Sequence, residues 1–161
     1  MACEEFRVSE EVKGRVDLTV ALDTNIFINV KNREEPYYKY SRSIIEAVDG
    51  GRIRALISAV VVAEMCTGYY MFGDIEGKQE FLSHIMASPY YEIVNVEVKV
   101  ADLAGKVRAE TGMRLPDAIL VASALTREAY ALVTHDDELK RAERLLKVMS
   151  AKELIGEMGR A

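Results

Sequence analysis

The stretch "VDLTVALDTNIFINV", Val16–Val30, decides how the rest of the chain is read. An apolar, β-branched run reaches Leu22 and then meets Asp23 with no polar ramp before it. Thr24 and Asn25 follow, and "IFINV" turns apolar again. The run predicts a buried strand that ends on a carboxylate. In open α/β sheets the crevice outside the strand carboxyl ends is where ligands bind. Asp is also a favoured N-cap, so capping of a helix starting near Thr24 competes as the explanation of Asp23.

The pattern continues outward from this strand. Short β-branched runs occur at 15–22, 54–58, 91–96, 131–134 and 145–149. Helix-like segments lie at 38–50, 59–72, 74–87, 97–111, 116–129, 137–143 and 151–158. Strands alternating with helices predict βαβ units and a parallel sheet covered on both faces. Local punctuation agrees. Gly50-Gly51 stops one helix, Ser58 caps the next, and Pro116 opens another with Asp117 at the positive end of its dipole. Ser150 and Glu153 have capping-box spacing. Residues 1–15 read as a polar N-terminal extension and 16–161 as one domain.

The 161 residues suffice for one sizeable core and are short for two. No apolar run approaches the ~20 residues that span a bilayer. The acidic N-terminus is unlike a signal peptide, so the expected address is cytoplasmic and no membrane partner is expected. Cys3 and Cys66 form no C-x-x-C, and His84 and His135 lack a cysteine cluster, which argues against a disulfide framework or a structural zinc. The net charge of −5 argues against a nucleic-acid ligand only if the carboxylates are solvated. Four carboxylates gathered at a metal site would account for most of it.

Four carboxylates do stand in apolar surroundings or at strand ends. They are Asp23; Glu64 in "SAVVVAEMCTG"; Asp117 in "RLPDAILVASAL"; and Asp136 in "ALVTHDDEL". Each has a plain structural explanation when taken singly. Asp23 and Asp136 suit helix caps, with Asp137 a competitor for the second. Glu64 reads as a buried carboxylate paired with a base. Asp117 complements a helix dipole. Together they describe two strand ends and two helix N-terminal regions meeting at one sheet edge, where like charges repel unless a cation is bound. Hard oxygen ligands suit Mg2+ or Mn2+, and paired ions of this kind serve in-line displacement at phosphorus. Thr24, Asn25, Ser58, Thr134 and His135 flank these positions and could orient the carboxylates.

In this order, the segments "VALDTNIFI", "SAVVVAEMCTG", "GMRLPDAILVASAL" and "ALVTHDDEL" resemble the acidic motifs of PIN-domain ribonucleases, and most of all VapC-like toxins of type II toxin–antitoxin modules. The resemblance spans roughly residues 18–155. It implies a single three-layer α/β/α domain with a five-stranded parallel sheet. It also implies Mg2+- or Mn2+-dependent endonucleolytic cleavage of RNA by a metal-activated water, leaving a 5′-phosphate and a 3′-hydroxyl. Asp23 and Asp117 would be the principal ligands, Glu64 would share or bridge, and Asp136 would hold a second ion or a water. A homodimer and a cognate antitoxin are implied as partners. The sequence departs from the family in its long polar preamble and in Leu139, where an aromatic residue is usual.

For the RNA itself, Arg114, Lys99 and Tyr69 are the candidate contacts. Helix packing competes for the tyrosines, and a solvated face competes for the bases. Other classes fit less well. A receiver-type phosphoacceptor needs adjacent acids after the first strand, and a dehalogenase-type phosphatase needs D-x-D where Asn25 stands. An RNA-processing nuclease outside a toxin–antitoxin pair, or an inactive RNA-binding scaffold, would share the same motifs.

Overall fold

In the computed structural model, which describes residues 18–160, β1 (Thr19–Leu22) occupies the centre of a five-stranded parallel sheet. The strand order is β3 (Tyr91–Val94), β2 (Arg54–Ser58), β1, β4 (Ala131–Val133) and β5 (Val148–Met149). The polar extension 1–15 and the first residues of the predicted strand 15–22 lie outside the described residues. Register sets Ala21 against Leu56 on one side and Leu132 on the other. Val20, Ala21, Leu22, Ile57, Leu132 and Val133 are essentially inaccessible, as strands covered on both faces must be.

The connections carry the helices. From β1 the chain runs through α1 (Thr24–Lys31) and α2 (Tyr38–Asp49) to β2. From β2 it runs through α3 (Ala59–Met71) and α4 (Ile75–Ala87) to β3. From β3 it runs through α5 (Val98–Thr111) and α6 (Leu115–Thr126) to β4. A 3-10 helix (Asp137–Ala142) leads to β5, and α7 (Ala151–Arg160) follows. Right-handed crossovers put the first two connections on one face and the third on the other. Accordingly α6 packs on β1, β2 and β4, while α7 packs on α2. The five-stranded parallel sheet flanked by helices is the architecture the sequence led us to expect.

Most local signals hold. Ser58 accepts a hydrogen bond from the Val60 amide at 3.3 Å as the cap of α3. Ser150 accepts one from the Glu153 amide at 3.1 Å. Gly51 turns the chain from α2 into β2 at φ +71°, where only glycine is unstrained. Four differences stand out. The segment 24–31, outside the helix-like segments given above and raised only as the helix near Thr24 that Asp23 could cap, is α1. The segment 137–143 is a 3-10 helix. The strand expected at 145–149 is paired only at Val148–Met149, because Leu145 and Leu146 close turns onto the Ala142 carbonyl. Pro116 takes the second position of α6, one residue later than expected. Among the described residues, no helix is long and apolar enough to cross a membrane.

Candidate active site

β1 and β4 are neighbours, yet the chain leaves their carboxyl ends toward opposite faces of the sheet. That divergence is a topological switch point, where a crevice forms in open α/β sheets. Asp23 stands at the end of β1 and is only 8% exposed. Its Oδ1 accepts from the Thr24 amide at 2.7 Å, so the side chain caps α1. Its Oδ2 accepts from the Thr134 hydroxyl at 2.8 Å and from Asn25 Nδ2 at 3.1 Å. Capping and site-building are therefore carried by different oxygens of one carboxylate.

Thr134, just past β4, is the hub. Its single hydroxyl proton goes to Asp23, while its oxygen accepts from Asn25 Nδ2 at 3.2 Å and from the Asp136 amide at 3.0 Å. Asn25 in turn accepts from the His135 amide at 3.2 Å. The two strand ends are thereby tied across a gap of more than a hundred residues. Thr134→Val keeps the shape and removes the hydroxyl. It is expected to lower stability by ~1–3 kcal/mol. Loss of its orienting effect is expected to reduce any divalent-ion affinity ~10–100-fold. Chemical denaturation and titration calorimetry with Mn2+ read the two effects.

Three hydrogen bonds to Asp23 would ordinarily lower its pKa. Burial outweighs them, and the charges of Asp117 and Glu64 add to it, so the carboxyl is raised from 3.8 to about 6. Asp117, in the first turn of α6, is also raised by burial. Arg114 opposes that shift, and the charges of Asp136 and Glu138 add to it. The Arg114 guanidinium meets Asp117 Oδ2 at 3.3 Å while remaining mostly exposed. Ser58 and Ser123, both buried, meet at 3.3 Å and join β2 to α6.

Glu64 corrects the sequence reading. It was expected to be buried, and it is exposed. The core face of α3 is Val61, Met65 and Tyr69, spaced by four, which leaves Glu64 on the open side despite its apolar neighbours in sequence. From there its Oε1 accepts from the Thr24 hydroxyl at 3.2 Å, so it reaches the site from the rim. Asp136 is half-buried, and it rather than Asp137 caps the 3-10 helix, accepting from the Glu138 amide at 3.0 Å. Of the candidate RNA contacts, Arg114 lies at the site. Lys99 is exposed in the first turn of α5 with no described bond to the carboxylates. Tyr69 is instead buried, packed near Phe81 with the Lys31 ammonium 4.0 Å over its ring, which removes it from the surface.

The donor set suits a hard cation. Carboxylate oxygens predominate, hydroxyl and amide groups orient them, and the buried Asp23 carboxylate is costly to ionise without a counter-charge. The fit is partial. Among the described residues, no three His, Cys, Asp or Glu side chains gather closely enough to encircle an ion. Mg2+ commonly takes one or two carboxylates and completes its shell with water. Asp23 and Asp117 would supply those carboxylates.

Sequence reading missed one part of the neighbourhood. Buried Asn29 meets the His135 ring through its Oδ1, which also accepts from the buried Ser41 hydroxyl, and Tyr37 stacks on the imidazole. The four-residue spacing of Asn25 and Asn29 was the available signal that both share a face of α1.

The protein-family model described as PIN domain matches residues 20–145. Among curated protein sequences none matches the chain. Similar solved structures include a toxin–antitoxin complex from Klebsiella pneumoniae, with a TM-score of 0.63 at 23% identity, covering 82% of this chain and 97% of that one. They also include VapBC2 from Rickettsia felis bound to a promoter DNA fragment, with a TM-score of 0.61 at 22% identity, covering 81% and 96%. A third is VapBC-1 from nontypeable Haemophilus influenzae, with a TM-score of 0.59 at 19% identity, covering 83% and 98%. Likeness at these identities speaks for the fold. With the family match spanning most of the chain, and with the carboxylates of all four motifs at or beside one sheet edge, the chain belongs to the PIN domain family, whose members are generally nucleases.

Proposed function

We propose that this chain is a divalent-metal-dependent endoribonuclease and the toxin of a toxin–antitoxin pair. The observation that carries the nuclease reading is Asp23. A buried carboxylate at the switch point, raised to about 6 by burial and by two neighbouring acids, is unfavourable for the metal-free protein at neutral pH. A cation bound there relieves that cost. The toxin assignment is supported by the similar structures, one of which is described as a toxin–antitoxin complex and another as a member of the VapBC family of toxin–antitoxin systems. An antitoxin partner and a homodimer come with that assignment.

When bound, Mg2+ or Mn2+ would supply Lewis acidity toward a phosphodiester and its attacking water. The chain's own residues would do the rest. Asp23 and Asp117 would hold the ion, and Thr134 and Asn25 keep the Asp23 carboxylate in one orientation. Glu64 on the rim and Asp136 beyond Thr134 extend the negative field along the cleft. Arg114 both neutralises part of that field and offers a guanidinium for a phosphate.

The test is cleavage of structured RNA, single-stranded RNA and single-stranded DNA with Mg2+, Mn2+ or EDTA. Metal-dependent cleavage of RNA that ceases in EDTA is expected, with 5′-phosphate ends on the products. Cleavage unaffected by EDTA would overturn the metal assignment. Absence of cleavage from every substrate with either ion would leave an RNA-binding scaffold as the better description.

A further inference from the structure

A cavity of about 190 Å³ opens beside Asp136 and is lined in part by Tyr37, His135, Asp137, Lys140 and Glu153. Drug-sized ligands occupy ~300–1,000 Å³, so this volume matches one planar ring system rather than a whole nucleotide. Its aromatic part is rigidly held. His135 Nε2 accepts from the Ala151 amide at 3.3 Å, which leaves the proton on Nδ1 to be donated to Asn29 Oδ1 at 2.8 Å. That same oxygen accepts from the Ser41 hydroxyl at 3.2 Å, and Asn29 Nδ2 donates to Glu34 at 2.8 Å. Tyr37 stacks on the imidazole with ring centroids 4.4 Å apart and planes 19° from parallel, yet it remains 40% exposed. Nothing in the carboxylate site uses Tyr37. A preorganised aromatic ring at the mouth of a small cavity is how single-stranded RNA bases are bound.

The polar groups at that mouth narrow the choice of base. The Asp137 carboxylate and the Lys140 ammonium, an exposed pair at the rim of the cavity, lie 3.1 Å apart and set a carboxylate acceptor beside a donor. Guanine presents two adjacent donors, N1–H and N2–H, beside the O6 acceptor on its Watson–Crick edge. Adenine, cytosine and uracil each lack that pair of adjacent donors. We propose that this cavity is a base-reading subsite for one unpaired guanine of the substrate, stacked on Tyr37 and held by Asp137 and Lys140. It rests on the ribonuclease function proposed above. Because Asp136 lines the same cavity, the guanine would lie next to the bond that is cut.

Binding rather than cleavage tests it. The full chain in EDTA is titrated with fluorescently labelled single-stranded oligouridine RNA carrying one central guanine or one central adenine. The guanine oligomer is expected to bind ~10-fold more tightly, within the range that stacking and paired hydrogen bonds support. Tyr37→Ala and Asp137→Asn should each erase that preference, and Tyr37→Phe should keep it. Equal affinity for the two oligomers, no binding of either, or a preference that survives in a folded Tyr37→Ala protein would each overturn the subsite. Guanine-selective binding by a chain that cuts no RNA would remove the nuclease assignment and leave the subsite standing. Metal-dependent cleavage with no selectivity would do the reverse.

Discussion

Replacing Asp23 with Asn is expected to abolish metal-dependent cleavage and, in the same protein, to raise the stability of the metal-free fold at neutral pH. The loss of activity should be on the order of 10³-fold or more, as for removal of a principal electrostatic group. The stability change follows from the raised carboxyl, whose folded value is about 6 against an ordinary 3.8. Between those values the folded state holds a proton that the unfolded chain has lost. Stability therefore falls as pH rises through that window, and the deficit persists above it. A difference of about two pH units corresponds to ~3 kcal/mol. Asn recovers less than this. Its Oδ1 can still accept from the Thr24 amide as a cap, but its amide nitrogen would then face Asn25 Nδ2, donor against donor. A net gain of ~1–2 kcal/mol is expected at pH 7. Denaturation in EDTA at pH 4 and pH 8 measures it, and the advantage of the variant should shrink toward zero at the lower pH. Greater stability of wild type at pH 8 would mean that burial does not disfavour the Asp23 charge. Retained metal-dependent cleavage would mean that Asp23 is not a ligand.

Leu132→Ala should have the largest effect on the fold. Leu132 is fully buried in β4, in register with Ala21 on one side and Val148 on the other. Both faces of the sheet are covered by helices, so the surroundings can relax only in part into the space left by the missing side chain. A loss of ~2–5 kcal/mol is expected, a large share of the ~5–15 kcal/mol that holds a typical domain folded. Urea denaturation should show a lower midpoint with an unchanged slope. A changed slope would indicate that the sheet edge beyond β1 has separated as a unit.

The sheet is legible in the sequence because strands buried on both faces must be apolar throughout. "ALIS" and "ALV" announce themselves by composition. Asp23 and Asp117 are legible because carboxylates in such surroundings need a reason. Glu64 misleads for the same cause: apolar neighbours in sequence do not bury a side chain that the helix turns outward. α1 is legible only as the helix that Asp23 could cap, because it is only eight residues long and alternates Asn25 and Asn29 with apolar residues. The Tyr37–His135 stack is invisible from sequence, because no local pattern links positions so far apart. Leu139, in the place of the family's usual aromatic residue, is fully buried, so the substitution preserves an apolar plug.

The Thr134–Asp23 hydrogen bond joins residues 111 positions apart. At ~5–20 residues per second of synthesis, about 5–20 seconds separate the two on the ribosome. During that interval the nascent chain comes to contain Asp23, Glu64 and Asp117, but not the strand that completes the crevice around the first of them. Of the two neighbours of the central strand, β2 follows it after one helical connection, whereas β4 follows only after β2, β3 and their helices. A crevice built in this order stays open on one side of Asp23 until β4 has been made and has folded back beside β1.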